Sequence, residues 1–184
     1  MSDSRPRWSE ELLHFWFAEL RPEQYWTRDD ALDTEIVRRF VPVWEAHRAS
    51  PAAAFLGDSQ TARAAVLLFD QVPRNAFRES PRAYASDPLA REIAASAIDL
   101  GWDAGLSSLE RQFLYMPFMH SETLADQDRS VVLFAGLGGP ATTQFAQSHR
   151  AMIAQFGRFP HRNLVLGRAS TPAELDAVAA GNAW

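Results

Sequence analysis

Two segments of the chain place Arg-Asn shortly after a proline: Asp70-Gln71-Val72-Pro73-Arg74-Asn75-Ala76-Phe77-Arg78 and Phe156-Gly157-Arg158-Phe159-Pro160-His161-Arg162-Asn163. A guanidinium fork matches a carboxylate or phosphate with two parallel hydrogen bonds. Arg74, Arg78, Arg158 and Arg162 are therefore candidate anion binders. The same groups could instead satisfy the carbonyls left open at a helix end. Asn75 and Asn163 lean toward turn-making, since Asn tolerates the left-handed region and bonds its own backbone. Asp70 is either a second carboxylate of a site or the counter-charge of a buried Arg.

A third polar cluster is His120-Ser121-Glu122. A histidine beside a carboxylate can act as a general base near neutral pH, which makes His120, Glu122 and His161 the catalytic candidates. A zinc site from His120, Glu122, His149 and His161 is chemically possible. Their spacing matches no helical H-E-x-x-H pattern, and neither a metal nor a cofactor is expected. His149 sits on an apolar helical stripe and reads as a buried, hydrogen-bonded core histidine. Ser121 lacks the G-x-S-x-G context of a nucleophile elbow, and no phosphate-cradling glycine motif is present.

Composition narrows the classes further. Cys is absent, which excludes disulfides, thiolate metal sites and Cys nucleophiles. All 18 basic residues are Arg, so chemistry that needs a Lys ammonium is excluded as well. No apolar run approaches the roughly 20 residues of a membrane span, and no apolar leader precedes the first helix. A cytoplasmic protein without membrane contact is expected. The net charge of −5 argues against a general nucleic-acid binder, although Phe156 and Phe159 among the Arg residues could stack on bases. Residues 129–173 carry five Arg and no acid inside this acidic chain.

These groups must be positioned by helices, because helix signals recur almost without interruption. Ser9 is the expected cap of the first helix, with Trp8 and Leu13 as a hydrophobic staple. The second carries Leu32, Ile36, Phe40 and Trp44, and Pro42 is expected to kink or break it. A third opens at Asp58 or Ser59 and is expected to end before Pro73. Asp87-Pro88 starts the next, which stops at Gly101. Ser107 and Glu110 make a capping box for a helix that Pro117 should limit, and Ser121 should start another. A loop follows at residues 136–140, then a helix ending at Gly157. Thr171 and Glu174 cap the last helix. About eight helices on short loops, with no composition break, predict one all-α domain over residues 1–184, built of antiparallel hairpins.

The chain resembles the bacterial domain-of-unknown-function family 924. The matching residues are Phe15-Trp16-Phe17, Phe69 to Asn75, Arg82 to Asp87, Tyr115 to Glu122, and Phe156 to Asn163 with Gly167-Arg168. The resemblance implies a tetratricopeptide-like, right-handed α-superhelix and carries no activity with it. The leading expectation is a small anion, carboxylate or phosphate, held in a concave pocket of Arg74, Arg78, Arg158, Arg162, His120, Glu122 and His161. A tetratricopeptide-like groove for a peptide or protein is the second reading. A hydrolase with a His or Glu base is the third. The oligomeric state is not legible.

Overall fold

The structure, a computed structural model, describes residues 6–181. Among these residues every regular element is a helix. The α-helices are α1 (Arg7–His14), α2 (Asp30–His47), α3 (Ser59–Val66), α4 (Val72–Ala76), α5 (Asp87–Asp99), α6 (Ser108–Met119), α7 (Leu124–Ala135), α8 (Pro140–Phe156) and α9 (Pro172–Ala179). A π turn at Leu67–Gln71 joins α3 to α4 without a break, so the described α-helices form eight runs. A second π turn, Phe15–Glu19, extends α1. No described helix is long and apolar enough to cross a membrane.

Helix starts follow local chemistry, with some shifts. The Asp29 side chain accepts from the backbone N–H groups of Ala31 and Leu32, and Asp58 does the same for Gln60 and Thr61. The Ser107–Glu110 and Thr171–Glu174 capping boxes both form. Ser9 does not cap α1. The helix begins at Arg7, and the Ser9 hydroxyl instead donates to the Pro6 carbonyl at 2.7 Å. Ser121 likewise lies before the cap of α7, which is Thr123.

Proline stops helices less than expected. Pro42 lies inside α2, with its ring exposed. Arg38, whose carbonyl loses its helical partner, is exposed too, so water can serve it. Pro73 sits in the first turn of α4, immediately after the π turn, where a missing N–H costs little. Pro117 lies only two residues before α6 ends.

The chain gathers into two compact units. The first runs to Arg78 and resumes over Arg82–Pro117. Its core joins Leu12, Phe15 and Trp16 to Ile36, Phe40 and Trp44 of α2 and to Leu68 and Phe69 of the π turn, all buried. The Trp44 indole N–H donates to the Ser86 hydroxyl at 2.9 Å, which donates to the Phe69 carbonyl at 2.7 Å, so this core leaves neither group unsatisfied. The second unit comprises Glu79–Pro81 and the chain from Phe118 onward. There α7 packs on α8, and Met152, Ile153 and Phe159 form a small core with Phe156 and Ala177 against it.

Candidate functional site

In the first unit the expected loop at residues 70–78 is helical as far as Ala76. The π turn places Asp70 in full burial, beside Arg74. Arg74 donates Nη1 to the Asp70 carbonyl at 2.6 Å and to Asp87 Oδ1 at 2.8 Å, and Nη2 to Asp87 Oδ2 at 2.9 Å. Burial opposes the Arg74 charge, but Asp70 and Asp87 more than offset it and raise the guanidinium pKa above its ordinary value. Arg78 grips Asp33 through both carboxylate oxygens at 2.7 and 2.8 Å and also donates to Asn75. The Asn75 amide donates back to the Gln71 carbonyl. Arg74, Asn75 and Arg78 thus tie α4 to α5 and α2.

A separate recess in this unit is lined by Phe17, Arg63, Leu67, Glu110, Phe113 and Leu114, with Arg63 and Glu110 paired at 2.6 Å. Its water-accessible space of about 10 Å³ is close to that of a single water molecule.

In the second unit α8 ends on Gly157, which adopts φ 70° and turns the chain into the Arg158–Asn163 segment. Two bidentate ion pairs brace that segment. Arg158 holds Glu174 at 2.6 and 2.9 Å, and Arg168 holds Glu122 at 2.7 and 2.9 Å. Glu122 also accepts the Phe159 backbone N–H at 2.8 Å. Burial works against the Glu122 charge, yet Arg168 and the Phe159 N–H keep its carboxyl below the ordinary carboxylate range. The Arg158 hydrogen bond, followed by the Thr171 backbone N–H, holds Glu174 well below that range. Asn163 is fully buried and donates to the Ser170 hydroxyl at 3.0 Å.

Phe159 is the hub of the arrangement and is itself fully buried. The Arg162 guanidinium lies over its ring at 4.5 Å, and the His149 and His161 rings each approach it to 5.6 Å. Arg162 and His149 are buried, whereas His120 and His161 are half-buried. Gln127 sets the position of His120. It is fully buried on α7 and donates to the Met119 and Ser121 carbonyls, both at 2.7 Å, which pins the backbone on either side. His149 Nδ1 lies 2.8 Å from the Phe145 carbonyl. A carbonyl can only accept, so Nδ1 carries the proton and Nε2 the lone pair. Burial drives the His149 pKa down to about 3, with His120, His161 and Arg162 pushing the same way. Among the described residues no group of three His, Asp or Glu side chains is placed to hold a metal ion.

The arrangement brings His120, Glu122, Arg158, His161, Arg162 and Asn163 into one unit, while Asp70, Arg74, Asn75 and Arg78 lie in the other. The acid-free stretch 129–173 is largely neutralised by acids from outside it. Asp128 pairs with Arg150, Glu174 with Arg158, and Glu122 with Arg168. Arg168 and Glu174 were not singled out as site residues from the sequence, and Phe159 was read there only as a ring that could stack on bases. The capping box accounted for Glu174 already, and nothing in the sequence marked Phe159 as the ring that Arg162, His149 and His161 share.

An all-helical protein with a histidine–arginine cluster around one buried phenylalanine is the class these features define. The profile described as "Bacterial protein of unknown function (DUF924)" matches residues 12–182, and the chain belongs to that family. It is similar to a solved structure titled "Structure of Protein of Unknown Function ATU0120 from Agrobacterium tumefaciens". The identity is 37 %, with 94 % of this chain and 97 % of that chain covered and a TM-score of 0.88. No curated protein matches the chain.

Proposed function

We propose that this protein binds a small oxyanion, a carboxylate or a phosphate, at the His120–His161–Arg162 cluster of its second unit. The observation that carries this reading is the gathering of one guanidinium and two half-buried imidazoles around His149 and Phe159. Two carboxylates of this unit, Glu122 and Glu174, are each gripped by an arginine, Arg168 and Arg158. An anion arriving there meets donors and positive charge, and these carboxylates repel it less than bare ones would. Arg74, Arg78 and Arg158 act in this reading as braces, since their forks are spent on Asp87, Asp33 and Glu174.

Thermal unfolding with inorganic phosphate and with acetate, at fixed ionic strength against chloride, tests the proposal. At about a hundredfold excess over Kd, binding should add about 2.7 kcal/mol and raise Tm by several degrees. The rise should saturate, and it should shrink in His161→Gln and in Arg162→Gln. A rise of equal size in both variants, or none in the wild type, would overturn the proposal.

A further inference from the structure

We infer that the seam between α7 and α8 encloses a binding site for one water molecule, held between the side-chain oxygens of Gln127 and Ser130. The inference stands apart from the anion-binding reading and needs none of its residues.

Gln127 and Ser130 lie three residues apart on α7 and so share one face, with about 5–6 Å between their Cβ atoms. Both are fully buried. The orientation of the Gln127 amide is fixed by its surroundings. Its Nε2 donates to the Met119 and Ser121 carbonyls, each at 2.7 Å, and the reverse orientation would set an oxygen against two carbonyl oxygens. The other end, Oε1, therefore turns away from those carbonyls. Among the described residues it meets no donor, and the Ser130 hydroxyl has no partner either. Burying such groups dry costs their hydration with nothing in return. Folded proteins resolve that with a protein partner or an ordered water, and here no protein partner is in reach.

Two contacts across the helix pair fix what lies opposite. Arg150 on α8 bonds Asp128 on α7 at 2.5 Å, and the Thr143 hydroxyl reaches the Phe134 carbonyl at 3.5 Å. The helices thus run antiparallel, and Ser130 faces the stretch of α8 from Ala146 to His149, of which Ala146 and His149 are buried. The short side chains of Ser130 and Ala146 are what makes room for a guest of water's size. That guest must donate to Gln127 Oε1 and must bond a hydroxyl, which water does in either direction. An ammonium ion offers donors too, but this seam disfavours a cation. The burial that keeps His149 neutral, with His120, His161 and Arg162 adding to it, acts on any positive charge placed beside it. Gln127 also holds the backbone on either side of His120, so the water steadies that turn from behind.

Two measurements on wild-type protein, Ser130→Ala and Ser130→Val test this: the number of long-lived internal waters, by oxygen-17 magnetic relaxation dispersion, and Tm. Ser130→Val removes the hydroxyl and fills its space, so it should hold one long-lived water fewer than the wild type. Ser130→Ala should lower Tm by several degrees, because it strips the water of one of its two holders and weakens its bond to Gln127. Ala is the better helix former, so a fall in Tm cannot come from the backbone. A dry hydroxyl behaves in the opposite way: deleting it relieves an unpaired buried group and leaves Tm level or higher. An equal water count in Ser130→Val and the wild type would overturn the site, and so would a Tm of Ser130→Ala at or above the wild-type value. If overpacking keeps Ser130→Val from folding, the Tm of Ser130→Ala decides alone.

Discussion

His149 is the residue whose protonation the fold fixes most firmly, and that has a cost in acid. An unfolded histidine takes a proton near pH 6.5, whereas the folded one resists until about pH 3. Between those values the unfolded chain holds one more proton than the folded chain, so stability falls as pH falls, by about 1.4 kcal/mol per unit. The stability is present in full above the unfolded value and lost below it. His149→Gln removes this dependence. Urea midpoints at pH 7 and 5.5 should show the wild type losing about 1 kcal/mol more than the variant over that interval. An identical loss in both would mean that His149 is protonated in the fold. At this scale the sequence was informative about types and silent about partners. His149 on its apolar stripe was legible as buried, because helical periodicity alone decides that. Asp87 as the partner of Arg74, and Glu174 as the partner of Arg158, were not, because both sit at helix starts where capping chemistry explains them just as well.

Helix boundaries decide where the polar groups point. Gly157 ends α8 in the left-handed region and opens the segment that carries Arg158, His161 and Arg162. A Cβ added there would meet nothing within 4 Å, so the penalty of a larger residue is conformational alone. Gly157→Ala should therefore cost about 1–2 kcal/mol and lower Tm while leaving the far-ultraviolet circular dichroism helical. An unchanged Tm would show that the turn is not held to that conformation. The Asp58, Ser107–Glu110 and Thr171–Glu174 caps and the Gly157 stop were readable, since each acts within four residues, whereas the starts expected at Ser9 and Ser121 fell on Pro6 and Thr123. The continuation of α2 through Pro42 and of the helical run through Pro73 was not readable, because the outcome depends on what lies around the ring. Pro42 faces water, and Pro73 follows a π turn that no local pattern announces.

Taken as a whole, the molecule has two cores of unequal size. The first unit buries many large side chains from α1 and α2 and from the run through α3 and α4, whereas the second buries fewer, Phe118, Phe134, Met152, Ile153 and Phe159 among them, and adds ion pairs on α9 and in the turns. Partly exposed ion pairs stabilise less than apolar burial of the same extent. Amides of α7 and α8 should accordingly exchange through openings of lower free energy than those of α2 and α3, by native-state hydrogen exchange read by mass spectrometry. Protection of equal height across both would contradict this. All-helical character was plain from the sequence. The division at Pro117 was not, because a helix runs across it without any change of composition.

The π turn at Leu67–Gln71 also acts as a phase shifter. Such a turn closes its hydrogen bond one residue later than an α turn, so everything beyond it is set back by about one residue, roughly 100° of rotation about the axis. Asp70 faces the interior and Arg74 reaches Asp87 because of that offset. The helix from Ser59 to Ala76 thus works as two screws of one thread, the second turned so that its charged groups meet their counterparts, and its angular setting is stored in the length of the chain.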